Sequence, residues 1–261
     1  MIKETTVGEL KKIWNKYNDY SELDELLKNL RENDGKEIKD WLHLPIHLPF
    51  IKRELKGLDK NARVLEAGCG FGHWVFWMAE QGYRAVGVDL APKAIITAKN
   101  YTKKNNLKNC EFIEGDIRKL PIEDNYFDII FSFGVIEHFH NPKTILNELK
   151  RVLKPGGKIF LSVPNQYSSH TITRMILKMT GKWSLGHERS YSSRSLNKLF
   201  RKCGFQVLRG GVMPGGELFG RGMNNIPLIG DSLFKLFSKL SFYIENHQKI
   251  FGFWLYGVAK K

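Results

Sequence analysis

The chain has 261 residues, 42% hydrophobic and 26% charged, a balance that suits one folded domain with insertions and excludes a disordered or fibrous chain. No apolar run reaches the ~18–20 residues that cross a bilayer, and the opening MIKETTVGELKK lacks the apolar centre of a secretory signal. The net charge of +14 lies almost wholly in the last third, where residues 166–261 hold 15 basic and 4 acidic side chains; such a face attracts phosphate, anionic lipid or nucleic acid, or serves only to keep the protein in solution.

Residues 1–60 read as a helical cap. Leu10, Ile13, Trp14 and Tyr17 recur at helical spacing, and SELD at 21–24 has capping-box form ahead of Leu23, Leu26, Leu27 and Leu30. RENDGKE then closes that helix with a turn. From residue 61 the rhythm changes. ARVLEAG (62–68), YRAVGVDL (83–90), CEFIEGD (110–116), FDIIFSF (127–133) and GKIFLSVP (157–164) are short strands. HWVFWMAEQ, PKAIITAKNYTKKN and KTILNELKRVL are helices between them, the last stopped by KPGG. This alternation predicts an α/β fold, a doubly wound parallel sheet with helices on both faces.

Two insertions, at about 165–185 and 212–248, interrupt the pattern. The first carries HTITRMILKM, with Ile172, Met175, Ile176 and Met179 on one side and Arg174 and Lys178 on the other. The second carries DSLFKLFSKLSFYIE, with Leu233, Leu236, Phe237, Leu240 and Ile244 as its stripe. The favoured expectation is a lid whose apolar stripe packs on the core; the alternative is a basic amphipathic surface lying on a membrane. Between and after them, SSRSLNKLFRKCGF is a capped helix, and FQVLRGGV (205–212) and FGFWLYGVAK (251–260) are strands.

The glycine-rich turn RVLEAGCGFGHW follows the first of the core strands and opens a helix. Such a turn lets a ligand come close to the backbone at the sheet edge. Dinucleotides want G-x-G-x-x-G. Here Gly68, Gly70 and Gly72 are spaced two apart, His73 stands where the dinucleotide form wants glycine, and Glu66 sits inside the motif. A carboxylate there repels a diphosphate and suits a cation. S-adenosylmethionine, with a sulfonium and an ammonium and no phosphate, fits. Asp89, at the end of the next strand, grips ribose hydroxyls in either class of ligand.

VLEAGCGFG, GVDL, EGDIRKLP, FDIIFSFGVIEHF and LKRVLKPGGKIFLSVPN follow in this order, one to each βα unit. Together they resemble the class I S-adenosylmethionine-dependent methyltransferases, in particular the broad set that includes the ubiquinone-biosynthesis O-methyltransferases. The resemblance covers roughly residues 60–211 and the final strand. It implies a Rossmann-like seven-stranded sheet with an antiparallel last strand. It also implies that Gly68, Gly70 and Gly72 line the methionine portion of the cofactor, and that Glu66 orients the loop or receives the ammonium. By the same carry-over Asp89 binds the ribose, Leu90 lies against the adenine, Asp116 accepts from the adenine amino group, Ile117 offers a backbone amide and Phe133 lies beside the sulfonium. His138, in VIEHF, is the candidate general base.

Some relatives hold a divalent metal through a Glu three residues before the Glu-His pair; that position is Gly134 here, and no metal is expected. Cys69, Cys110 and Cys203 lie far apart without metal or disulfide spacing, so a reducing cytoplasm is expected, with peripheral contact at the inner face of the membrane if the basic helices meet lipid. There is no Asn/Asp-Pro-Pro-aromatic motif after FDIIFSF and no recognisable RNA-binding module, which disfavours a nucleic-acid substrate. The expectation is therefore O-methylation of a small-molecule, lipid-linked or glycan acceptor, with anionic character suited to the basic last third. GHERSYS (186–192) offers His187 and Arg189 for acceptor contacts. An RNA methyltransferase and a catalytically inactive S-adenosylmethionine-binding protein are the alternatives.

Overall fold

Short strands that are buried on both faces must be covered by helices on both faces, and the computed structural model of the chain, which describes residues 6–17, 23–32, 44–213 and 252–261, has this arrangement. Three helices come first: α1 (Val7–Tyr17), α2 (Leu23–Glu32) and α3 (Leu44–Leu55). The alternating core follows as β1 (Arg63–Ala67), α4 (His73–Glu80), β2 (Arg84–Asp89), α5 (Pro92–Lys104), β3 (Cys110–Glu114) and β4 (Phe127–Phe133). After a 3₁₀ turn (Ile136–His138) come α6 (Pro142–Val152), β5 (Leu153–Pro164), α7 (Ser169–Met179), α8 (Ser193–Lys202), β6 (Gln206–Val212) and β7 (Trp254–Lys260).

The seven strands form one sheet in the order β3-β2-β1-β4-β5-β7-β6. Pairings from β3 to β5 are parallel, and β7 runs antiparallel to both β5 and β6. The order reverses between β1 and β4, so their following loops part there and leave a crevice at the carboxyl ends of the strands. One face of the sheet packs Trp74, Phe76, Phe131 and Phe160 with α2, α3 and α4. The other packs Phe127, Ile130, Leu146, Leu149 and Phe200 with α6 and α8. This is the expected Rossmann-like fold with its antiparallel last strand.

Three local features stand out, the first and third of them against expectation. The helix ahead of KPGG ends at Val152 as expected, but the strand starts earlier than expected: β5 already begins at Leu153, which pairs with Phe127 before the register shifts towards Ile129. Leu153 is fully buried, and Gly156, at φ +80°, absorbs the irregularity that lets the strand run on. Secondly, α3 forms over LPIHLPFIKREL. Pro45 sits in its first turn, where a missing amide costs nothing, and Leu48, Ile51 and Leu55 anchor it in the core.

Thirdly, α7 is turned the other way round. Ile172, Met175, Ile176 and Met179 face solvent, the last of them 85% exposed, while Thr173, Arg174 and Leu177 are buried. The expectation that this stripe packs on the core is therefore overturned. Arg174 and His170 instead share Glu188 Oε1, at 2.8 and 2.6 Å, and a buried carboxylate that loses its cations costs more than an uncovered methionine. The basic helix expected at 231–245, residues 33–37 of the turn RENDGKE and Ser21 of the expected capping box lie outside the described residues.

Candidate active site

The loop after β1 is shaped by glycine. Gly68 and Gly72 hold φ near +82° and +83°, and a Cβ on them would overlap the side chains of Val135 and Phe112 respectively. The loop is stapled to the end of β2. Gly68 and Cys69 donate their amides to Val88 O at 2.8 and 3.1 Å, and Gly70 donates to Asp89 Oδ2 at 2.7 Å. Asp89 Oδ1 accepts from the Ala91 amide at 2.8 Å. The carboxylate is thereby locked at the crevice before any ligand arrives.

The crevice holds a cavity of about 240 Å³. Of the expected site residues, Glu66, Gly68, Gly70, Asp89, Leu90, Ile117, Phe133 and His138 line it together. Gly72 stands just outside the lining as the residue that caps α4. Asp116 also stands outside it. Burial alone would raise its pKa, but Arg118 grips both carboxylate oxygens and holds it below the usual range.

Glu66 is buried on β1, and its Oε2 has no hydrogen-bond partner. Burial, with Asp89 adding its repulsion, pushes its carboxyl well above the usual range, although the Val75 amide works the other way. Burial likewise raises Asp89. Two carboxyls strained towards neutrality around an unpartnered oxygen make a receptor for a cation. Both ring nitrogens of His73 are also buried without a partner, and burial followed by repulsion from His47 drives its pKa down to about 3. A zwitterionic amino-acid end, carrying ammonium and carboxylate, would satisfy these three orphaned atoms at once. The residues thus fit the sulfonium nucleoside expected of the loop.

On the far side of Phe133 the walls are aromatic. The rings of Phe133 and His47 meet edge to face at 4.9 Å, and those of His47 and Trp254 at 5.3 Å. His47 Nε2 lies 3.0 Å from Ser162 Oγ. His47, His73, Trp74 and Trp254 were not singled out in the sequence. His73 carried a signal, since it directly follows the glycine loop; His47 and Trp254 arrive from distant segments with no motif of their own.

His138 closes this end, within the 3₁₀ turn after β4. Its Nδ1 lies 3.0 Å from the His187 carbonyl. A carbonyl only accepts, so Nδ1 carries the proton and Nε2 keeps the lone pair. Burial lowers the pKa of the ring, which stays neutral at pH 7. Among the described residues no group of three His, Cys, Asp or Glu is arranged to hold a metal ion.

Residues 65–161 match the family model of a methyltransferase domain. A ubiquinone biosynthesis O-methyltransferase of Coxiella burnetii is 33% identical over 127 residues, which are 48% of this chain and 53% of that protein. Over these residues the chain is similar to the class I S-adenosylmethionine-dependent methyltransferases. A sterol 4-C-methyltransferase of Caenorhabditis elegans is 31% identical over 105 residues, 40% of this chain and 31% of the worm protein. The chain thus spans only 53% and 31% of the length of these two curated relatives. Among solved structures, one from the complex of the Haloferax volcanii Trm112 methyltransferase activator with a methyltransferase superposes with a TM-score of 0.65, at 18% identity over 96% of each chain. The [4+2]-cyclase SpnF does so at 0.61, with 17% identity over 98% of this chain and 97% of the cyclase. These two likenesses are of fold. Chemistry has to be read from the site.

Proposed function

We propose that the chain transfers a methyl group from S-adenosylmethionine to a hydroxyl oxygen of a small-molecule, lipid-linked or glycan acceptor. The observation that carries this is the unpartnered, buried Glu66 oxygen beside the locked carboxylate of Asp89, a cation receptor at the end of a glycine loop. When bound, S-adenosylmethionine supplies an electrophilic methyl carbon on a sulfonium. Glu66 would receive the ammonium and Asp89 the ribose hydroxyls, while Leu90 would lie against the adenine and Ile117 would offer it a backbone amide. Asp116, swung off Arg118, accepts from the adenine amino group. Phe133, Trp74 and Trp254 exclude water from the reacting end, and His138 Nε2 takes the acceptor's hydroxyl proton.

The outward stripe of α7, with Lys178 beside it, supports a second proposal about partners. The enzyme works in the cytoplasm against an anionic membrane face, which presents a lipid-linked acceptor. Three free cysteines are consistent with that compartment.

Titration calorimetry with S-adenosylmethionine and its demethylated product tests the cofactor site: binding is expected in the parent and weakened in Asp89→Ala. Incubation of the protein with S-adenosylmethionine labelled in the methyl group and fractionated cell extract then tests the acceptor. Label on oxygen in lipid or metabolite fractions supports the reading. An N-methyl product, or loss of labelling after nuclease treatment, refutes it.

A further inference from the structure

Residues 187–189 touch the candidate base from two directions. The His187 carbonyl meets His138 Nδ1 at 3.0 Å, and the Arg189 amide donates to Glu137 O at 3.0 Å. Arg189 Nη2 also reaches His140 O at 3.3 Å. Between these contacts, the Glu188 side chain points the other way, into α7. There its Oε1 is shared by His170 Nε2 and Arg174 Nη1. Glu188 and Arg174 are both under 9% exposed.

This cluster is an expensive way to hold a helix. Burying an arginine and a glutamate seldom gains stability over apolar packing, and here it turns the apolar stripe of α7 out to solvent. Its return is positional. It fixes the three residues 187–189, whose neighbours are also pinned, by Tyr191 N to Pro164 O at 2.8 Å and Thr171 Oγ1 to Ser190 Oγ at 3.0 Å. Free imidazole has no reason to keep its proton on Nδ1; the His187 carbonyl supplies one only while it stays in place.

We propose that the buried cluster of His170, Arg174 and Glu188 is a positioning device for His138: by pinning residues 187–189 it holds the His187 carbonyl against Nδ1 and keeps Nε2 as the proton-accepting nitrogen. Only the final use of Nε2 rests on the methyl-transfer reading; the tautomer does not. Among the charged and titratable groups that face His138, Glu188 favours its protonated form, and His170, Arg174 and His187 oppose it. Removing Glu188 therefore lowers the pKa of the ring as well as releasing it.

The test is a long-range proton–nitrogen spectrum of the full chain with ¹⁵N-labelled histidine, the His138 signals being assigned by their loss in His138→Gln. The parent is expected to show His138 protonated on Nδ1. Glu188→Ala and Arg174→Met are expected to shift it towards the Nε2-protonated form, and Glu188→Gln, which keeps an acceptor oxygen for both partners, to restore the parental pattern. In turnover, Glu188→Ala should lose about tenfold or more in kcat with KM for S-adenosylmethionine unchanged. If Glu188→Ala loses its near-ultraviolet circular dichroism, Arg174→Met decides alone, since it leaves the loop sequence intact. An unchanged Nδ1 tautomer in folded variants overturns the proposal, as does a parent protonated on Nε2. A parent with the expected tautomer that transfers no methyl to any fraction would remove the enzymatic reading and leave the positioning device standing.

Discussion

Asp89 and Glu66 divide the work of one site by how they are solvated. Asp89 is held by the Gly70 and Ala91 amides, so it keeps its orientation; Glu66 keeps an oxygen without a partner. Losing the charge-assisted contacts of Asp89 should cost about 1.5–3 kcal/mol, a ten- to hundredfold weaker binding of S-adenosylmethionine by Asp89→Ala in calorimetry. The raised carboxyls also give a sign to the pH dependence. Only their ionised forms attract a cation, so affinity should fall as pH is lowered through their raised pKa values, and binding in that range should release protons. Heats measured in buffers of different ionisation enthalpy report that release, and Glu66→Gln should abolish most of it. Gly72→Ala should unfold at lower urea, by about 1–3 kcal/mol, since alanine resists the left-handed backbone there and overlaps Phe112. Glu66, Asp89 and the glycines were legible because the loop and the strand end that make them a site are contiguous in sequence. His47 was not, because nothing local marks a histidine whose meaning comes from Phe133 and Trp254, met only when the chain is folded.

At the scale of elements, strands and helices of the core could be read because period and burial agree. The exceptions show where period alone is mute. A helical stripe at 172, 175, 176 and 179 says that one side of α7 is apolar, not which side turns inward. That was decided by Glu188, 14 residues beyond Arg174, through pairing that no periodicity records. KPGG misled for a similar reason: a proline and two glycines mark an interruption, and here it falls within β5 rather than before it. The inverted α7 has a measurable counterpart in stability. Replacing Ile172 and Met179 together by serine should leave the urea midpoint within about 0.5 kcal/mol of the parent, because neither side chain is packed. Arg174→Met should cost about 3 kcal/mol or more, as it leaves Glu188 buried with a single partner. The opposite ranking would mean that the stripe, not the ion cluster, seats the helix.

Over the whole molecule, charge and apolar exposure coincide on the late part of the chain. Anionic vesicles should therefore co-sediment the protein, less so as salt rises, and the serine pair at 172 and 179 should reduce the effect. No binding at low salt would refute a membrane partner. The architecture as a whole was readable from five motifs in register; the aromatic end of the cavity was not, because His47 of α3 and Trp254 of β7, which line it, carry no motif. That final strand has one more consequence. β7 lies between β5 and β6, so β6 has no neighbour in the sheet until residues 254–260 arrive. A growing chain must therefore hold β6 and α8 beside an unfilled gap, and the last wall of the cavity, Trp254, enters only as that gap closes. Closure of the cavity and completion of the sheet become a single event.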